Sequence, residues 1–65
     1  IILVVYTKGF KANISGRGKN IREIVLKSIE GLENATGGGH DNAVGAQIRK
    51  EDIEQFEKNI RVIVK

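Results

Sequence analysis

The chain has 65 residues, no cysteine, three aromatic residues and a net charge of +3. That length allows one domain, and no disulfide or thiolate metal site can support its small apolar core. No apolar run approaches the roughly 20 residues needed to span a bilayer.

The opening Ile1-Ile2-Leu3-Val4-Val5-Tyr6 is apolar at both parities, as a central strand covered on both faces would be. It has no basic segment before it and no small-residue cleavage site after it, so it does not read as a signal peptide. The absence of cysteine fits a reducing, cytoplasmic setting. Because the chain begins on this strand without a methionine, the expectation is a piece of a longer protein. Lys8-Gly9 suits a two-residue hairpin loop. Phe10–Arg17 then alternates, with Phe10, Ala12 and Ile14 on one face and Lys11, Asn13, Ser15 and Arg17 on the other. Ser15 and Arg17 therefore project together from the strand end.

Asn20 is placed as a helix N-cap, with Glu23 three residues on completing a capping-box pair. Ile21, Ile24, Val25, Ile29 and Leu32 form one face of a helix over about Ile21–Glu30, which Gly31 stops. Residues 33–42 read as a glycine loop and Ala43–Arg49 as a strand. A second helix runs from about Glu51 to Ile60, with Ile53, Phe56 and Ile60 as its apolar stripe. Val62-Ile63-Val64 reads as a short closing strand. The expected architecture is α+β: a ββαβαβ layer with two helices packed on one face of a sheet.

Two features point to an anionic partner. Residues 1–31 carry six basic against two acidic residues, whereas 32–65 carry five against six. A basic half of this kind suits nucleic acid, although a solvated lysine-rich surface has the same composition. Second, Thr36-Gly37-Gly38-Gly39-His40 places the chain's one histidine after three residues without Cβ. A row of exposed amides ending in an imidazole suits an oxyanion such as phosphate, and the plain alternative is a flexible connector. Arg17 and Lys19, beside free amides at a helix start, form a second candidate anion site.

Several chemistries are excluded. Gly16-Arg17-Gly18-Lys19-Asn20-Ile21 lacks the third glycine of a dinucleotide fingerprint, and asparagine at 13 and 20 breaks an ATPase phosphate loop. One histidine and scattered carboxylates cannot assemble a hydrolytic metal centre, and no nucleophile triad is available. Alone, the chain reads as a binding module rather than a catalyst.

Ile14-Ser15-Gly16-Arg17, the following helix, and Gly37-Gly38-Gly39-His40-Asp41-Asn42-Ala43-Val44-Gly45-Ala46-Gln47-Ile48 together resemble the DHHA1 domain of the DHH phosphoesterase superfamily. That superfamily includes RecJ-like single-strand exonucleases, oligoribonucleases and cyclic-dinucleotide phosphodiesterases. The resemblance covers roughly residues 10–60; Val44 stands where a second alanine is usual. It implies that Gly37, Gly38, Gly39 and His40 contact substrate phosphate, with Arg17 joining from the strand end and Ser15 beside it. It also implies a separate N-terminal DHH domain holding the catalytic metals, manganese or magnesium, and single-stranded nucleic acid or a short oligonucleotide as the partner. No cofactor is expected in this chain. An alternative is the RNA-binding appendage of an alanyl-tRNA synthetase, in which arginine typically replaces His40. A stand-alone interaction domain with a linker-like glycine loop is a third.

Overall fold

A computed structural model of the chain describes residues 2–64. Four strands and two helices follow the order β1 (Ile2–Lys8), β2 (Lys11–Arg17), α1 (Ile21–Ile29), β3 (Thr36–His40), β4 (Ala43–Arg49), a 3-10 turn at Lys50–Asp52, and α2 (Ile53–Ile63). The strands form one antiparallel sheet in the order β1-β2-β4-β3. The fold is α+β, as expected, but its element order is ββαββα.

Alternation in β2 decides the two faces. Ala12, Ile14, Val44 and Ile48 are buried on one side of the sheet and join Ile21, Val25 and Ile29 of α1 with Phe56 and Ile60 of α2 in one core. Both helices therefore cover the same face. The other face carries the opposite parity of every strand and has no helix over it.

Four local expectations are corrected. β1 is an edge strand rather than a central one, and Ile2, Val4 and Tyr6 stay exposed on the uncovered face. Phe10 does not continue the buried row. It sits with Gly9 in the β1–β2 hairpin, where Gly9 adopts φ 64°, and it is 93 % exposed. The glycine segment is a strand, since β3 pairs with β4 along its whole length. The chain does not close on a strand over 62–64. Instead α2 continues to Ile63, which follows Ile53, Phe56 and Ile60 at helical spacing although its own side chain stays exposed.

The two helices are also tied by a polar link. Asn59 donates from Nδ2 to the Ser28 carbonyl at 2.9 Å, and Gln55 donates to Asn59 Oδ1 at 2.8 Å. Ser28, fully buried, donates its hydroxyl to the Ile24 carbonyl at 2.8 Å. Asn59→Ala is expected to lower stability by about 1 kcal/mol by stranding the Ser28 carbonyl. A urea melt of the variant superimposable on that of the parent would show that this link contributes nothing.

Candidate functional site on the uncovered sheet face

Register places the candidate residues. Ala43 pairs with Arg17 of β2 on one side and with His40 of β3 on the other. Residues paired across an antiparallel ladder share a face, so Arg17, Ala43 and His40 form one row on the uncovered face. Their Cα positions span two strand spacings, about 10 Å. The next row is Val4, Ser15, Gly45 and Gly38, and the one after it Tyr6, Asn13, Gln47 and Thr36.

The ends of β2 and β3 are held together by their turns. Gly18 donates its amide to the Asn42 carbonyl at 3.0 Å, and Arg22 donates to the Asp41 carbonyl at 3.2 Å. The Asn20 amide reaches Asn42 Oδ1 at 3.4 Å. Thus the turn that follows His40 is bonded to the turn that follows Arg17.

The same bonds correct the helix-start anion site. The Ile21 amide is bonded to the Gly18 carbonyl at 3.2 Å and that of Arg22 to Asp41, so these donors are already taken. Asn20 precedes the helix in a left-handed conformation, φ 59°, and makes no side-chain cap. Glu23 pairs with Lys27 at 3.1 Å instead of closing a capping box. Lys19 lies exposed in this turn, beyond the strand end.

The three glycines of β3 do different things. A Cβ on Gly37 would point under the sheet, 3.1 Å from Ile29 Cδ1 and 3.2 Å from Leu26 Cδ2, so its missing side chain lets α1 approach. Gly39 adopts φ +147°, and a Cβ there would meet the Ala43 carbonyl oxygen at 2.4 Å. Gly38 alone faces the open side, with nothing within 4 Å of its Cβ position. As an edge strand, β3 turns only alternate amides away from β4, so the expected continuous row of free N–H groups is interrupted.

Electrostatics favour the Arg17 end of the face. Among the described residues, Arg17, Lys19 and His40 make no salt bridge. Arg49, at the far end, is committed. It donates to both Asp52 oxygens at 2.8 and 3.3 Å and to Glu33 at 3.1 Å, with Glu51 nearby. Hydrogen bonding to Asp52 raises its pKa further above the ordinary arginine value. Its charge is neutralised locally, whereas that of Arg17 is available to a ligand.

Beside the Arg17–His40 row lies a shallow groove of about 590 Å³, lined by Tyr6, Asn13, Ser15, Thr36, Gly38 and Gln47 among others. Asn13, Gln47 and Thr36 line this groove although residue type alone does not single them out. Alternation already set Asn13 beside Ser15 and Arg17, but Gln47 and Thr36 join them only through the strand order. No group of three or more metal-ligating side chains occurs among the described residues, and no helix is long and apolar enough to cross a membrane.

A guanidinium, an imidazole and a hydroxyl on one uncovered face can hold an oxyanion. No curated protein and no solved structure matches the chain. The family model described as the DHHA1 domain, in contrast, matches residues 1–65, spanning both the strand end at Arg17 and the glycine–histidine strand. The chain therefore belongs to the DHHA1 domain family of the DHH superfamily.

Proposed function

We propose that this domain grips the phosphate of single-stranded nucleic acid or short oligonucleotides. It would then present the phosphodiester to manganese or magnesium held by a separate DHH domain, in a RecJ-like exonuclease or phosphodiesterase. The observation that carries this reading is the shared row of Arg17 and His40, both flanking Ala43 on a face without a helix. The metal-bearing partner domain rests on the family membership. This chain's own residues bind and orient the substrate, and no step of hydrolysis runs through a metal on them. Holding a reacting phosphate in place supplies much of the rate when chemistry happens elsewhere.

The reading has a simple signature. A fluorescent 5′-phosphorylated oligonucleotide titrated with the 65-residue chain is expected to bind weakly. Its log affinity should fall with log salt at a slope of about −0.7 to −1.4, as for one or two phosphate contacts on a single strand. With manganese added, the oligonucleotide should remain intact. Salt-independent binding, no binding, or cleavage by the chain alone would contradict the reading.

A further inference from the structure

The uncovered face holds one feature that phosphate binding does not use. Gln47 Nε2 donates to Asn13 Oδ1 at 3.2 Å across β2 and β4, joining two carboxamides into one pair. That single bond leaves Asn13 Nδ2, one Nε2 hydrogen and Gln47 Oε1 for another molecule. The pair lines the groove, and it lies four residues along the strands from the Arg17–His40 row, about 13 Å.

Between the two rows lie Gly45 and Gly38, paired across β4 and β3. Neither has a neighbour within 4 Å of its Cβ position, and neither adopts positive φ. Packing and backbone conformation therefore give no reason for glycine at these two sites. Their effect is a low floor between an anion-binding row and an amide row, with Tyr6 at the β1 side of the groove.

We propose that the Asn13–Gln47 amide pair reads the base edge of the nucleotide whose phosphate is held by Arg17 and His40. This rests on the phosphate-gripping reading and adds a specificity element to it. Carboxamides form paired donor–acceptor bonds with nucleobase edges, and a planar ring is the part of a nucleotide that fits a shallow floor. A sugar phosphate alone fills the anion row but leaves the amide pair unused.

The test compares adenosine 5′-monophosphate with ribose 5-phosphate, titrated into the parent chain and into Gln47→Ala, Gly45→Val and Arg17→Ala. The nucleotide is expected to bind the parent roughly five- to a hundredfold more tightly than the sugar phosphate. Gln47→Ala and Gly45→Val should remove that preference and leave ribose 5-phosphate binding unchanged. Gly45→Val should melt no lower than the parent, because a β-branched residue suits an open strand position. Arg17→Ala should weaken both ligands. Equal parental affinity for the two ligands, with both still dependent on Arg17, would overturn the base-reading proposal and leave phosphate gripping intact. A preference that persists in both groove variants would overturn it too. If neither ligand binds the parent, both readings fall.

Discussion

Arg17→Ala and His40→Ala are each expected to weaken binding of a 5′-phosphorylated oligonucleotide roughly ten- to a hundredfold, the range for losing a hydrogen bond to a charged group. Neither change should lower the melting temperature. Both side chains are exposed, neither joins the core, and among the described residues neither makes a salt bridge. The two sites lie two strand spacings apart, one on either side of β4, a span the long Arg17 side chain can cross to meet His40 at one phosphate. If the two meet there, the double variant should lose less than the combined single losses, which a double-mutant cycle reads directly. Lys11→Ala supplies the control. It removes a charge at the opposite end of β2, opposite the internally paired Arg49, and should change affinity little. Equal effects from all three substitutions would mean that the face attracts anions only through its general charge.

Gly39→Ala should destabilise the whole domain. The new Cβ would lie 2.4 Å from the Ala43 carbonyl oxygen and 2.9 Å from Val44 Cα, and both are backbone atoms. No flexible side chain can move aside, so the β3–β4 hairpin must shift or open. Backbone strain at φ +147° adds to the clash, for a combined loss of about 2–4 kcal/mol. A domain of this size has a total of about 3–5 kcal/mol. The variant should therefore be partly unfolded at room temperature by far-ultraviolet circular dichroism. Gly38→Ala, one residue away, meets nothing within 4 Å and should melt like the parent. Identical melts for Gly39→Ala and the parent would contradict this account of the β3–β4 turn.

Much of the fold was legible because β2 and α1 alternate and repeat cleanly. Ala12 and Ile14 are buried as their parity requires, and so are Ile21, Val25 and Ile29 at helical spacing. The glycine strand was not legible. Thr36-Gly37-Gly38-Gly39-His40 has almost no side chains to show a period, and its β conformation comes from pairing with β4. The C-terminal Val62-Ile63-Val64 misled in the opposite sense. β-branched residues favour strands locally, but a helix already propagating from Ile53 extends through Ile63 at little cost.

The candidate site was half legible for a related reason. Residue types and spacing singled out Arg17 and His40, and strand parity put Ser15 and Asn13 with Arg17. Whether His40 shares that face depends on β4 lying between β2 and β3, a long-range pairing with no local signature. Gln47 entered for the same reason. The amides around the helix start, in contrast, looked free from local pattern alone; that of Ile21 turns back to Gly18, and those of Asn20 and Arg22 are bonded by residues 42 and 41, some twenty positions away.

The most direct measurement is a nitrogen-15 NMR titration of the chain with a 5′-phosphorylated dinucleotide. Binding on the uncovered sheet face predicts that the amides of Arg17, Gly38, Gly39, His40 and Ala43 move together and saturate at one affinity, while those of α2 stay still. Shifts confined to the helical side, or none at saturating ligand, would contradict the claim that Arg17 and His40 share one anion-binding surface.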